Sequence, residues 1–119
     1  MRCAVGLPNL GDYGNPALLA ELARQAEDAG WDGVFLWDHV VYREPGWPAA
    51  DPWVTAGAIA ATTKRVRLGV LVTPLARRRP WKVARETASL DVLGVSETAA
   101  VKRHARALVI GVPDLPPGH

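Results

Sequence analysis

The chain has 119 residues, 49% of them apolar, with 14 basic and 12 acidic side chains. That length suits one domain with a modest core, and no apolar run approaches the ~20 residues needed to span a bilayer. One cysteine, Cys3, excludes an internal disulfide and a cysteine-based zinc site, and no metal ligand set is legible. The first residues, MRCAVGLPNLGDYG, hold too short an apolar run for a secretory signal, so the expected location is the cytoplasm. Residues 1–60 carry 3 basic and 8 acidic side chains, net −5, and residues 61–119 carry 11 and 4, net +7. An overall charge of +2 does not by itself argue for a nucleic-acid partner.

Three cycles of one plan follow in chain order. Cys3–Leu7 is a short apolar run that suits a buried parallel strand, with Cys3 as a small core residue. Asn15-Pro16 then supplies an N-cap and a proline at the first helical position. Leu18, Leu22, Ala26 and Ala29 repeat at helical spacing as the expected inner face, and Gly30 ends the helix.

The second strand is Gly33–Trp37, followed by a long loop to Ala50. Asp51-Pro52 repeats the cap-plus-proline start of a helix that is apolar nearly all round until Lys64. Such a helix is covered on more than one side, by a sheet and by another helix or subunit. The third strand is Val66–Val72, and a basic loop leads to Pro80 and a helix whose expected stripe is Trp81, Ala84, Ala88 and Val92.

Residues 1–93 form this regular part, and 94–119 form a divergent tail. The tail contains a basic stretch readable as a helix or a disordered insert, a possible fourth strand LVIGV, and an irregular Pro-rich end. The strands start 30 to 33 residues apart, which fits a (β/α)₈ barrel of about 250 residues at roughly 31 per unit. On periodicity alone a doubly wound sheet remains a physical alternative.

The glycines of GLPNLGDYG fit neither the dinucleotide fingerprint nor the P-loop, and the loop reads as structural. LWDHVVY is more informative, because it puts Asp38 and His39 at the carboxyl end of the second strand, where parallel α/β folds bind ligands. A histidine there can act as acid, base or hydrogen-bond donor, and an adjacent carboxylate would orient it. At the end of the third strand, Val70, Leu71, Val72 and Thr73 offer backbone groups and a hydroxyl to a flat polar ring. Trp31 and Trp53 read as packing residues, and Trp37 and Trp47 as possible pocket walls. Arg77, Arg78 and Arg79 beside Trp81 read as a solvated loop or, less simply, an anion patch.

Across residues 1–91 the segments EDAGWDGVFLWDHV, ADPWVTAGAIAATTKRVRLGVLVTPL and RRRPWKVARETASLD follow in an order and spacing that resemble the luciferase-like monooxygenase family. The resemblance implies an incomplete (β/α)₈ TIM barrel of three to four N-terminal units, and favours the barrel over the doubly wound sheet. It implies a flavin- or deazaflavin-dependent oxidoreductase, using FMN or coenzyme F-420 on a small organic substrate. By the same resemblance Asp38 and His39 lie beside the cofactor ring, and Trp37, which flanks them in sequence, is then the expected wall of the cofactor site. The stretch Val70 to Thr73 supports the ring, often through a non-proline cis peptide. Dimers of the family pack through early helices, which maps to Asp51–Lys64.

After Asp91 the sequence departs from the family pattern, so the chain is expected to be a truncated member with little activity alone. The competing expectations are a non-catalytic dimerisation module and, last, a basic nucleic-acid binder.

Overall fold

The computed structural model describes residues 1–39, 46–71 and 73–93. The tail expected to hold a basic helix, a fourth strand and a Pro-rich end lies outside these residues, as do Val72 and the loop residues 40–45. The described chain runs β1 (Ala4–Leu7), α1 (Pro16–Asp28), β2 (Gly33–Leu36), α2 (Pro52–Thr62), β3 (Arg67–Val70), α3 (Pro80–Leu93), with single 3₁₀ turns at Gly11–Tyr13 and Leu75–Arg77.

Both helix starts read from the sequence are present. Asn15 caps α1 by accepting from the Ala17 N–H at 2.9 Å. Asp51 caps α2 by accepting from the N–H groups of Trp53 and Val54, both at 2.9 Å. In each case a proline occupies the first turn, where its missing N–H costs nothing. Gly30, at φ +90°, ends the first helical segment in the left-handed region that suits glycine.

The strands form one parallel sheet in the order β1-β2-β3. Their register aligns Val5 with Val34 and Leu68, and Leu7 with Leu36 and Val70. These rows face the helices and build the core with Leu19, Ala20 and Ala23 of α1 and Ala56 and Ile59 of α2. The alternate row, Gly6–Phe35–Gly69, faces the other way. A doubly wound sheet reverses its strand order, and no reversal occurs among these three strands.

Helix α2 meets the expectation of cover on several sides, packing against α1, α3 and β3. Four other expectations are corrected. The fully buried residues of α1 are Leu19, Ala20 and Ala23; of the expected stripe Leu22 and Ala26 pack against the core, while Leu18 and Ala29 are exposed. The apolar residues of α1 cover a face wider than one stripe, and its centre falls on Leu19 and Ala23 rather than on Leu18 and Leu22. The buried residue of α3 is Val83, which packs with Trp53 and Val70, so the Trp81/Ala84/Ala88/Val92 stripe points outward. Cys3 is exposed because β1 begins one residue later, at the open edge of the sheet. Trp31 is exposed too, in the turn before β2, whereas Trp53 is buried as expected.

Among the described residues no helix is long and apolar enough to cross a membrane.

Candidate functional site

The carboxyl ends of the three strands are drawn together by hydrogen bonds just past the regular ladder. Trp37 N–H donates to Leu7 O at 3.0 Å, and Leu71 N–H donates to Leu36 O at 2.8 Å. On the face away from the helices, a side chain added at Gly6 would lie 3.7 Å from both Trp37 Nε1 and Leu71 Cδ1. The indole and the leucine therefore converge over a glycine floor, leaving a shallow cradle that a Cβ at residue 6 would begin to fill. Trp37 keeps 42% of its surface exposed there. The His39 ring lies beside the indole of Trp37, with centroids 5.7 Å apart and planes tilted by 56°.

What fixes His39 is a residue the sequence reading left inside a structural loop. Asn9 is fully buried, at 0% exposure. Its amide donates to His39 O at 2.7 Å and to Ala50 O at 2.8 Å, and its oxygen accepts from the His39 N–H at 3.2 Å. Asn9 O also accepts from the Ala50 N–H at 2.8 Å, so one residue ties the ends of β1, β2 and the approach to α2.

The loop after β1 is shaped around the same approach. Gly11 N–H donates to Pro48 O at 2.9 Å, and Leu10 pairs with Ala49 in an antiparallel bridge. At Gly14 a Cβ would fall 2.5 Å from Pro48 O, so only glycine fits. Trp47 lies over Gly11 rather than free in a pocket, although half its surface remains exposed.

Asp38 occupies the place expected of it but has different partners. Its carboxylate, 1% exposed, receives Arg78 Nη2 at 3.0 Å and Nε at 3.2 Å, while Arg77 Nη2 lies 3.7 Å from its other oxygen. Arg77 also donates to Asp38 O at 2.8 Å. The two arginines read as a solvated loop or anion patch thus neutralise a buried carboxylate, and Arg78 also stacks over Trp53 and faces Glu86. Arg79 lies over Trp81, 5.8 Å from its ring centre. Arginines thus hold Asp38 on one side, while the Asn9 amide holds the backbone of His39 on the other.

The third strand contributes less side-chain chemistry than expected. Val70 turns toward the helices and packs with Trp53 and Val83, leaving only its backbone at the edge. Thr73 is buried, Leu71 lines the cradle, and Val72 lies outside the described residues. No cis peptide occurs among the described residues.

Of the residues singled out from sequence, then, Trp37, His39 and Leu71 share one face, and Asp38 supports them from the other. Asn9 and Gly6 carried no local signal that distinguished them, and Arg78 stood out only as part of a basic run.

Residues 4–94 match the family model described as luciferase-like monooxygenase. The chain is 44% identical over 79 residues to an F420-dependent glucose-6-phosphate dehydrogenase of Nakamurella multipartita, covering 63% of this chain and 23% of that protein. It spans about a quarter of the length of that curated relative.

Among solved structures it superposes on the coenzyme F420 dependent tetrahydromethanopterin reductase of Methanopyrus kandleri. The TM-score is 0.66 at 22% identity, over 78% of this chain and 24% of that one. It superposes equally on the oxygenating constituent of 3,6-diketocamphane monooxygenase of Pseudomonas putida, solved with FMN. There the TM-score is 0.66 at 18% identity, over 79% and 27% of the two chains. These two likenesses establish a common fold, and the family match covers most of this chain. The chain belongs to the luciferase-like monooxygenase family.

Proposed function

We propose that the described residues are the first three units of a (β/α)₈-barrel oxidoreductase that works with coenzyme F-420 or FMN on a small organic substrate. The observation that carries this reading is the cradle at the strands' carboxyl edge, where Trp37 and Leu71 meet over Gly6 with His39 beside them. A flat ring needs an apolar floor, one aromatic or aliphatic wall and a hydrogen-bonding group at its rim, and this edge offers each. The F420-dependent relative and the FMN-bound structure support the same cofactor class.

When bound, such a ring supplies a centre that accepts or delivers hydride or, reduced, meets dioxygen. The protein's share is orientation and proton handling. Trp37 and Leu71 would hold the ring's face, and the backbone from Val70 to Thr73 its edge. His39 would donate a hydrogen bond to cofactor or substrate and move a proton. Asp38 acts on this site through the loop it braces. A homodimer formed along Asp51–Lys64 and a cytoplasmic location complete the reading.

The test is titration of the full chain with FMN and with F-420, read by tryptophan fluorescence. Saturable quenching that disappears in Trp37→Phe is the expected result. Absence of binding to either would sink the cofactor role for this chain and leave the non-catalytic dimerisation module in its place.

A further inference from the structure

We infer that Asn9 is the positioning residue for His39, and that the neighbouring carboxylate of Asp38 is not. The argument starts from what a carboxamide can do. It offers two N–H donors and one oxygen acceptor on a single rigid plane. Asn9 uses all of them on backbone: both donors on the carbonyls of His39 and Ala50, and the oxygen on the N–H of His39. Residue 39 is thus gripped at both its N–H and its C=O, as a neighbouring strand would grip it, at a point where the ladder has already ended at Leu36. Gripping both groups of one residue fixes its φ and ψ and therefore the direction in which its side chain leaves the chain.

No other side chain satisfies this set. Aspartate has the same shape but no donor when ionised, and would aim negative oxygens at two carbonyl oxygens. Serine reaches one partner at most, and alanine leaves buried backbone groups unpaired. Asp38, by contrast, has one carboxylate oxygen hydrogen-bonded by Arg78 and the other 3.7 Å from the Arg77 guanidinium, an ion pair without a hydrogen bond. The importance of the placement for proton handling rests on the function proposed above, but the placement itself can be read without cofactor. Trp37 lies close enough to His39 for its ring current to displace the imidazole proton resonances.

The experiment is proton-carbon nuclear magnetic resonance of the full chain, with the His39 ring signals identified by their loss in His39→Gln. The expected result is a ring-current displacement of the His39 signals that collapses toward the free-histidine position in Asn9→Asp and Asn9→Ser. In Asp38→Asn, which can still accept from Arg78, the displacement persists. Persistence in both Asn9 variants, or collapse in Asp38→Asn, overturns the assignment.

If the Asn9 variants lose the dispersed methyl signals of Leu19 and Ile59, and so fail to fold, the unmodified chain decides. Both carboxamide protons of Asn9 should then exchange slowly with water and show cross-relaxation to residues 39 and 50. Exchange at the rate of an exposed amide overturns the proposal. Either result leaves the cofactor question to the fluorescence titration, so the two readings fail separately.

Discussion

Glu27 shows how much one side chain can organise in a small chain. Its carboxylate accepts from the backbone N–H groups of Lys64, Arg65 and Val66, and its carbonyl from the Arg65 guanidinium, closing the turn from α2 into β3. Glu27→Ala leaves those N–H groups to water and should lower stability by about 1–3 kcal/mol, as measured by urea unfolding. Glu21 makes a weaker, pH-dependent case. Hydrogen bonds from Arg24 and Gln25 lower its pKa from the ordinary 4.5 to about 2. Because the folded value is depressed, its stabilising effect is complete above 4.5 and is lost as pH falls toward about 2. The stability difference between the native chain and Glu21→Gln, followed by urea unfolding at several pH values, should therefore shrink across that window and shrink further in salt. At this scale the caps Asn15 and Asp51 were legible because cap and helix are neighbours in sequence. Asn9, Glu27 and Arg78 were not, because their partners lie 30 to 41 residues away and only the fold brings them together.

Secondary elements were legible from apolar runs and helix starts, but the faces they bury were less so. Adjacent positions on a helix point 100° apart, so choosing Leu18 rather than Leu19 as the anchor shifts the inferred face to the flank of the buried one, keeping Leu22 and Ala26 against the core but not Leu18 or Ala29. The structure makes the choice testable. Leu19→Ala should cost about 2–5 kcal/mol, as expected for a fully buried leucine. Leu18→Ala should stay within about 0.5 kcal/mol in the same thermal or urea unfolding measurement. The Asp38–Arg78 pair joins β2 to the segment before α3, and Arg78 also rests on Trp53 of α2. Arg78→Ala strands a buried carboxylate and should destabilise by about 2–4 kcal/mol, while Asp38→Asn retains an acceptor and should cost about half of that. Equal losses in the two variants would mean that charge, rather than hydrogen bonding, holds the elements together. The run of arginines could be read as solvated because Asp38, though legible at the end of β2, lies about 40 residues away and only the fold brings the two together.

At the scale of the molecule, three parallel strands covered by helices on one face leave surfaces that the described residues do not close. The other face carries exposed Gly6 and half-buried Phe35, and among the described residues no strand pairs with the far edges of β1 and β3. The helix layer adds Val54, 66% exposed on α2, and Trp81, 69% exposed on α3. Between α2 and α3 a groove of about 240 Å³ is lined by Trp53, Val54, Gly57, Leu90 and Leu93, with Arg85, Glu86 and Ser89 at its rim. The parallel α/β plan was legible from the repeat of strand and helix. Which copies or further units cover these faces was not, because an amphipathic pattern records that a face is apolar and not what it meets. Parallel sheets are rarely stable with one face bare, so the isolated chain should associate through these surfaces. The expected outcome is a melting midpoint that rises with protein concentration and a sedimenting species larger than one chain. Val54→Lys with Trp81→Lys should shift that species toward monomer, because a charge at either position must be desolvated on association. If the midpoint is independent of concentration and the species is monomeric throughout, the open faces are covered from within the chain, and the expectation of self-association is lost.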